Sequence, residues 1–443
     1  MRRKTNGGGM AQSFAMTREQ LDAMAAVADE AAGGAWKPAG EVLRRVRAVP
    51  TDLIAIDELT RVGGWPTERF SLIHGPSSEG KTQAMLLLGA SFLKRGHFFD
   101  LIDAEYTTPI TWCEELMTPE VAHLPTFRAL RPQTYEEVRD AVRRKCDAVG
   151  EARAKGRLDP QTTGLIGLDS LRKLVPKKLY ETLAKEMTDE KPKGFRKSPK
   201  GIDGYGGRAA QMKAALNASW LDELVPLLGQ TGMAMAVISR ETEDPDADPF
   251  DDDAVKVGGG KAVFYESSLA LRCLLGGFIV DGEDKRLVGE KTICRMRKTK
   301  VGHRMQKVPE GFFHVSNGVL VPAGHDRARD VLELGRKLGT VTVDGAWWHT
   351  RDGEAIGQGI NKAVVALHNN VELLAQLEAE TRAMFVLEGT EGPASQVGER
   401  EVEDADGGSE RPAHGRKDSG VPKVRRRKGG AAASGKSRAR RKG

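Results

Sequence analysis

The sequence predicts an α/β fold in which a mostly parallel, twisted sheet is flanked by helices. From Val49 onward, short apolar runs alternate with segments of helical spacing, which is the pattern of strands joined by helical crossovers. One of these runs leads directly into a glycine-bounded turn that opens a helical segment. Four predicted strands each end in a polar residue: 69–74, 97–103, 164–169 and 233–239. Because the carboxyl ends of parallel strands share one edge of a sheet, we expect a ligand site there.

The glycine-bounded turn has the GxxxxGK[ST] spacing of a phosphate-binding loop. Its residues are Gly75, Pro76, Ser77, Ser78, Glu79, Gly80, Lys81 and Thr82, followed by Gln83. Backbone N–H groups of such a loop wrap the phosphates of a nucleotide, helped by the N-terminus of the following helix. Lys81 would contact the β and γ oxygens and Thr82 would ligate Mg²⁺. Glu79 would repel a triphosphate, so we expect its side chain to point away. The alternative is a glycine turn before a buried helix, which the strand, the helix and a downstream aspartate disfavour.

Two carboxylates follow later strands. Asp169 closes the apolar run GLIGLD and suits the role of holding Mg²⁺ through water. Glu105, in LIDAEY, is placed to orient the water that attacks the γ-phosphate. Taken alone, an aspartate at a strand end is more often structural, and the alternative for Glu105 is a solvated loop acid. The phosphate loop favours the functional interpretation of both.

Five segments are predicted along the 443 residues. Residues 17–32 have apolar residues at helical spacing behind a Thr-x-x-Gln capping box. Further strands are expected at 268–275, 292–300 and 311–320, and two helical stretches follow them. The predicted segments are 1–35 with the N-terminal helix, a linker at 36–48, the core at 49–320, a small C-terminal α/β domain at 321–387, and a tail without a fold at 388–443.

Composition excludes several classes of protein. Four cysteines, Cys113, Cys146, Cys273 and Cys294, lack the paired spacing of a zinc site or a disulfide framework, which fits a reducing cytoplasm. The longest apolar stretch is about half of what a bilayer crossing needs, so no membrane partner is expected. The basic start is followed by glycines, not by the apolar region of a secretory signal.

The net charge of +6 is distributed unevenly. From Arg411 to Gly443 the chain has 13 Lys and Arg against one acid, whereas the remainder has a net charge of −6. The tail is therefore predicted to attract nucleic acid without reading its sequence. A tail that only aids solubility is the alternative.

The motifs and their order resemble bacterial RecA and its phage-encoded relatives. GPSSEGKT is similar to the family's Gly-Pro-Glu-Ser-Ser-Gly-Lys-Thr, and FFDLIDAEY resembles its strand ending in Ile-Asp-Ala-Glu. DGAWWHTRDGEAIGQGINKA resembles the family's Gly-Ala-Trp-Tyr…Gly-Glu-x-Ile-Gly-Gln-Gly in the C-terminal domain, a stretch without catalytic chemistry. The resemblance covers about residues 45–385. It implies a RecA-like P-loop ATPase core that uses ATP and Mg²⁺, forms a homo-oligomeric helical filament on single-stranded DNA, and pairs that strand with double-stranded DNA.

The resemblance also implies roles for individual residues. Glu105 would activate water, and Lys298 and Lys300 would contact the γ-phosphate bound by a neighbouring subunit. Arg240 stands where the family has a glutamine that senses this phosphate. The aromatic ring that stacks on adenine has two approximate counterparts, Trp112 and Tyr106. The helix at 17–32 would pack on the neighbouring subunit, or alternatively fold back on its own core.

Two loops after the third and fourth strands would bind DNA, as they do in the family. The first, from Arg172 to Arg208, has 11 Lys and Arg against five acids, and the second, from Glu241 to Gly260, has eight acids before Lys256. Both are expected to be mobile, and the acidic part would be displaced outward or would block DNA until ATP binds. The predicted DNA-binding residues are Arg172, Lys173, Lys177, Lys178, Arg196, Lys197, Lys200, Arg208, Lys256, Gly259, Gly260 and Lys261.

Two other functions remain open from the sequence. One is a hexameric helicase or motor on the same fold, and the other is a DNA-binding filament protein with a weakened ATPase, suggested by Arg240 and the acidic loop. The long loop and the basic tail favour a phage-type member of the family, acting in the cytoplasm of a bacterial or phage-infected cell.

Overall fold

The computed structural model describes residues 17–31, 33, 37, 39, 43, 45–180, 206–243, 255–282, 285–302 and 309–385. Much of the first predicted DNA loop, the acidic stretch after Glu243 and the basic tail lie outside these residues. No helix within the described ranges has the length and apolar character needed to cross a membrane. All four cysteines are buried and free.

The strands up to residue 325 make up the main sheet and a small β-ribbon. They are β1 (Ala48–Val49), β2 (Trp65–Pro66), β3 (Phe70–Gly75), β4 (Phe98–Asp103), β5 (Phe127–Leu130), β6 (Gly164–Asp169), β7 (Ala234–Glu243), β8 (Val255–Val257), β9 (Leu269–Asp281), β10 (Arg286–Thr299), β11 (Glu310–Ser316) and β12 (Gly324–His325). Ten described strands form one sheet in the order β12-β11-β10-β9-β3-β7-β6-β4-β5, with β8 paired to β7. The neighbours from β9 to β5 are parallel, and β10 to β12 extend the sheet in antiparallel fashion. The predicted α/β class with a mostly parallel sheet is confirmed.

Eight described α-helices lie before residue 325, and the last six of them cover both faces of this sheet. They are α1 (Arg18–Ala31), α2 (Ile54–Thr60), α3 (Lys81–Lys94), α4 (Ile110–Met117), α5 (Pro119–Ala122), α6 (Tyr135–Ala154), α7 (Gly206–Thr231) and α8 (Lys261–Glu266). Helices α3, α4 and α5 share one buried apolar cluster with Ile73, whereas α6, α7 and α8 share another with Leu72. These adjacent residues of β3 enter opposite clusters because side chains alternate along a strand.

Helix α1 precedes the strands of the sheet in the chain and begins with the predicted capping box. The Thr17 backbone N–H donates to Gln20 Oε1 at 2.9 Å, and the Gln20 backbone N–H donates to Thr17 Oγ1 at 3.3 Å. Its apolar side chains are exposed, with Leu21 at 50%, Met24 at 58% and Val27 at 68%. The helix therefore does not bury this apolar face on its own core, contrary to the fold-back alternative.

The C-terminal part has its own small core. Its elements are α9 (Arg327–Leu338), β13 (Val341–Asp344), β14 (Trp347–Thr350), β15 (Ala355–Gln358), α10 (Ile360–Asn369) and α11 (Val371–Ala383). The three strands form an antiparallel sheet, and the helices share a buried cluster with Ile54 and Ala55 of α2. Arg382 Nη1 also donates to Asp57 Oδ2 at 2.8 Å. The C-terminal part is thus packed on α2, and the predicted boundary at 320/321 stays a prediction.

Two segments expected to be loops are partly ordered by packing. The start of the first predicted loop packs apolar side chains, since Leu174 and Leu179 are buried together with the preceding Leu171. Leu171 and Leu174 belong to the apolar cluster that packs on the sheet with Leu72. The second predicted loop also begins too early, since β7 continues to Glu243 and pairs with β8.

A buried ionic cluster joins the main sheet to α9. His314 Nδ1 on β11 lies 2.6 Å from Asp330 Oδ1, and His314 Nε2 lies 3.1 Å from Glu333 Oε1. Lys291 Nζ of β10 donates to Glu333 Oε2 at 2.5 Å. Burial opposes a positive charge on His314, but its hydrogen bonds and charge interactions with Asp330 and Glu333 outweigh this effect and raise its pKa. The cluster therefore favours protonated His314 in the folded state.

Replacing Asp330 with Asn should reduce the free energy of unfolding by about 3 kcal/mol at pH 6, because it removes one charge from a buried pair. A raised histidine pKa stabilises the fold below the ordinary value of 6.5, and this stabilisation is lost as pH rises through the raised pKa. The difference between wild type and variant should therefore shrink by pH 9. Urea unfolding at both pH values measures the difference in free energy of unfolding. An equal loss of stability at both pH values would contradict the assignment of a charged His314.

Candidate nucleotide-binding site

The predicted phosphate loop lies at the carboxyl end of β3, between β7 and β9. Gly75 has φ +148°, and a Cβ built there would lie 2.3 Å from the carbonyl oxygen of Cys273 on β9. Gly80 has φ +78°, and its Cβ would lie 2.4 Å from Thr292 Oγ1 on β10. Both glycines are therefore required by conformation and by the close approach of neighbouring strands. Helix α3 begins directly after Gly80, so its N-terminus faces the loop.

Lys81 is held inside the loop by its own chain. Its ammonium donates to the Pro76 carbonyl oxygen, and the residue is only 8% exposed. Burial lowers the pKa of Lys81, and the charge of Arg240 acts in the same direction, while Asp169 opposes them. The loop thus places a desolvated cation where phosphate oxygens would be bound.

Thr82 and Asp169 provide a pair of oxygen ligands beside the loop. The Thr82 hydroxyl donates to Asp169 Oδ2 at 2.5 Å. The pKa of Asp169 is raised to about 6, mainly by burial and also by the charges of Glu105 and Asp103, while the Thr82 hydrogen bond opposes this shift. Crowded carboxylates and a hydroxyl suit a hard divalent cation, which would relieve their repulsion. These two residues therefore fit the predicted Mg²⁺ site. In the described ranges no cluster of three or more His, Cys, Asp or Glu could hold a metal alone, and Mg²⁺ commonly relies on substrate phosphates for the rest of its shell.

Glu105 lies two residues beyond β4, at the same edge of the sheet. Its backbone N–H donates to the Asp169 carbonyl at 3.1 Å, and its Oε1 accepts a hydrogen bond from Ser170 Oγ at 2.7 Å. Arg240 Nη2 lies 3.3 Å from both of its carboxylate oxygens. Arg240 is itself paired with Gly75 in the register of β3 and β7. The structure therefore brings Glu105, Asp169 and Arg240 together next to the phosphate loop. Ser170 was missed by the sequence analysis, although it directly follows Asp169.

A cleft runs along the loop. It is lined by Ser78, Glu79, Gly80, Lys81, Thr82, Gln83, Trp112 and Glu290. Gln83 Nε2 donates to Glu290 Oε1 at 2.5 Å, and the Glu79 carboxylate accepts from the Leu275 backbone N–H. No sequence pattern indicated that Glu290 belongs to this cleft, because only the strand register of β10 places it there.

Of the two aromatic candidates, Trp112 is the one that lines the cleft. Tyr106 is engaged elsewhere, because its hydroxyl donates to the Arg131 carbonyl oxygen at 3.0 Å and the Arg131 guanidinium lies 5.7 Å from its ring centre. Stacking of an adenine base is therefore assigned to Trp112 as a prediction.

Lys298 and Lys300 lie far from their own phosphate loop. Lys298 of β10 pairs with Ala270 of β9, and Ala270 pairs with Leu72 of β3. Leu72 precedes Gly75 by three residues, so Lys298 is displaced from the start of the loop by about 10 Å along the strand direction. Both ammonium groups donate to the Tyr265 carbonyl oxygen, at 2.6 Å and 2.7 Å, at the C-terminal end of α8. Burial lowers the pKa of Lys298 to about 8, and the neighbouring Lys300 charge adds to this. The two cations therefore do not contact the nucleotide site of their own chain.

The predicted DNA-binding residues are placed in several elements. Arg172 and Lys173 are exposed in a 3₁₀ turn (Leu171–Lys173), and Lys177 and Lys178 are exposed shortly after it. Arg208 belongs to α7 and not to the predicted loop, because this helix begins at Gly206. Arg196, Lys197 and Lys200 lie outside the described residues.

The second set of predicted DNA-binding residues extends from β8 to the start of α8. Lys256 is in β8, and Lys261 is the first residue of α8. Gly259 and Gly260 join them with φ +95° and +94°, and a Cβ on Gly259 would lie 2.7 Å from Leu171 Cδ2. The glycines are thus required by backbone conformation and packing, and a role at DNA stays a prediction. Because Gly259 lies close to Leu171, the second set of predicted DNA-binding residues is beside the start of the first set.

The loop, the aspartate on β6 and the parallel sheet define a P-loop nucleotide-binding protein. Residues 329–386 match the family model of the RecA C-terminal domain. The chain is also similar to Protein RecA of Xylella fastidiosa, with 27% identity over 376 residues that cover 84% of this chain and 93% of the relative. Protein RecA of Haemophilus ducreyi is 27% identical over 359 residues, covering 81% and 83%. Protein RecA of Acholeplasma laidlawii is 25% identical over 350 residues, covering 77% and 88%. The family-model match and these relatives at modest identity support a RecA family member.

Replacing Trp112 with Ala should weaken nucleotide binding about 10-fold, because a base stacked on an aromatic ring is worth about 1–3 kcal/mol. Tyr106→Ala is the matched control and should leave the affinity within about 2-fold, as a ring outside the cleft contributes no stacking. Titration with a fluorescent ATP analogue measures both constants. The reverse ranking would reassign the adenine platform to Tyr106.

Proposed function

We propose that this protein is a RecA-type recombinase, a DNA-dependent ATPase that assembles as a helical filament on single-stranded DNA and exchanges it into a homologous duplex. One observation carries the proposal. Lys81, the Thr82–Asp169 pair and Glu105 meet at one edge of the sheet in a chain whose C-terminal part matches that of RecA. Such a protein would act on DNA in the cytoplasm of a bacterium, and the basic tail supports a phage-type member.

The chemistry at this edge would be hydrolysis of ATP. Bound Mg²⁺ would neutralise charge on the phosphates between Thr82 and Asp169. Lys81 would bind the β and γ oxygens, and Trp112 would hold the base. Glu105 would orient a water and take its proton as the water oxygen bonds to the γ-phosphorus and the bond to ADP breaks.

Assembly would complete the site. Lys298 and Lys300 cannot reach their own loop, so we assign them to the triphosphate of a neighbouring subunit, where cations stabilise the charge that develops in the transition state. The apolar face of α1, with Leu21, Met24 and Val27 exposed, supports a role for this helix in packing on the adjacent subunit.

DNA would be bound by the two neighbouring sets of basic residues. Arg172, Lys173, Lys177 and Lys178 are exposed at the start of the first segment, and Lys256 and Lys261 flank the glycines of the second. Contacts of this kind go to phosphates and weaken with salt. The tail from Arg411 would add attraction for duplex DNA without sequence preference.

A filament protein with a weakened ATPase is the second candidate, favoured by the Arg240–Glu105 pair, which occupies both oxygens of the assigned base. A hexameric motor is less well supported, because the RecA C-terminal domain match speaks for a recombinase.

Replacing Glu105 with Gln should lower ATP hydrolysis at least about 100-fold, since the amide cannot accept the proton from water. ATP binding should persist, because Glu105 does not contact the loop. Phosphate release with and without single-stranded DNA measures the rate, and exchange between a circular single strand and a linear duplex measures recombination.

Wild type should show turnover that rises with single-stranded DNA, together with strand exchange. Directional unwinding of a forked duplex would indicate the motor instead. ATP binding without stimulated turnover would indicate the weakened ATPase.

Mixing two inactive variants tests the shared site. Glu105→Gln lacks the base but keeps its lysines, whereas Lys298→Ala/Lys300→Ala keeps the base. In a mixed filament the lysines of the first would face the intact site of the second, so phosphate release should reappear when both are present with DNA. A mixture that remains as inactive as its parts would show that the lysines do not act between subunits.

A further inference from the structure

The ion pair of Glu105 with Arg240 is the contact that the proposed chemistry leaves unexplained. Arg240 Nη2 lies 3.3 Å from both Glu105 oxygens, and Ser170 Oγ donates to one of them at 2.7 Å. The Glu105 side chain is 15% exposed and that of Arg240 is 36% exposed. These contacts take up to three of the roughly four lone-pair sites of the Glu105 carboxylate, which restricts the approach of a water that would give up its proton. In this state Glu105 is poorly placed to act as a base.

Arg240 stands at the junction between the nucleotide site and the β7–β8 hairpin. It is paired with Gly75 of the phosphate loop, while its carbonyl oxygen accepts a hydrogen bond from the Gly258 backbone N–H at 2.9 Å. Gly258 begins the glycine run after β8, and Ser239 Oγ also donates to its carbonyl oxygen at 2.8 Å. A displacement of this glycine run would therefore move the backbone that carries Arg240.

The next residue, Glu241, faces the opposite side of the sheet, because side chains alternate along β7. His74 Nδ1 lies 2.5 Å from Glu241 Oε1, and Arg272 Nη2 lies 3.0 Å from Glu241 Oε2. All three side chains are at most 7% exposed. Burial opposes a charge on Glu241, but its hydrogen bonds and charge interactions with His74 and Arg272 outweigh this effect and lower its pKa. The base of the hairpin is thus anchored as an ionised group to the strands β3 and β9.

Arg240 and Glu241 therefore form a two-sided connection. One side chain holds the assigned catalytic base, and the other anchors the strand end to the β3 strand that carries the phosphate loop. The predicted DNA-binding residues Lys256, Gly259 and Lys261 lie immediately along the chain from the bonded Gly258. A polyanion bound there would act on the backbone of Arg240 through the β7–β8 pairing.

We propose that Arg240 is a positioning residue that restrains Glu105 in the absence of DNA, and that DNA contact at the glycine run withdraws it. The proposal rests on the assignment of Glu105 as base under the proposed function. DNA stimulation of ATP hydrolysis would then consist, in this chain, of releasing Glu105 from an arginine.

Arg240→Met tests the restraint, because methionine keeps an unbranched side chain but has no charge and no donor. Phosphate release without DNA should rise several-fold toward the DNA-stimulated rate of wild type, and the ratio of rates with and without DNA should approach one. Arg240→Lys is the matched conservative variant. It retains the charge, so it should restore a large part of the DNA dependence.

Two controls separate this mechanism from others. In Arg240→Met/Glu105→Gln the raised rate should vanish, because the gain acts through Glu105. Thermal melting and titration with an ATP analogue establish that each variant folds and binds nucleotide.

Loss of turnover in Arg240→Met both with and without DNA would overturn the proposal and make Arg240 a required cation at the phosphates. An unchanged DNA-free rate would overturn it as well. A wild type that DNA does not stimulate would refute the proposed function instead, while a raised rate in Arg240→Met would still establish the restraint.

Discussion

Parallel pairing of β3, β7, β6 and β4 is the constraint on which the rest of this molecule depends. Its register pairs Gly75 with Arg240 and Asp103 with Asp169, so groups from four strands arrive at one edge. This convergence crowds Asp103, Glu105 and Asp169 together. Repulsion among these acids contributes to the raised pKa of Asp169, after burial itself. Lys81, Arg131 and Arg240 are nearby cations, and a bound divalent ion would complete the compensation.

The antiparallel hairpin of β9 and β10 contributes residues to two separate regions, the phosphate loop and the surface beside α8. Near its middle, Thr292 and Cys273 press against the glycines of the phosphate loop, and Glu290 bonds to Gln83. At its other end Lys298 and Lys300 are held by carbonyl oxygens of α8. A strand of 14 residues extends for about 45 Å. One element thus builds a wall of the candidate nucleotide site and carries the lysines that we propose act on the site of a neighbouring subunit.

Much of the fold was predictable because its signals are local. The strands β3, β4 and β6 were predicted within one residue of their bounds, and the capping box of α1 was predicted from a four-residue pattern. Errors arose where packing overrides composition. The start of the Lys-rich segment is ordered because its leucines cover the sheet, and Glu241 is buried because His74 and Arg272 neutralise it. An acid in an acidic stretch gives no local sign of such partners.

The sequence by itself determined the glycine-bounded turn, the candidate carboxylates and the family resemblance, since each depends on residues close together in the chain. Only the tertiary structure decided which charged groups meet. Arg240 and Glu105 are 135 residues apart, and Gln83 and Glu290 are 207 apart. Such pairs are set by the order and register of strands, which arise from the packing of the whole sheet and leave no mark in any short segment.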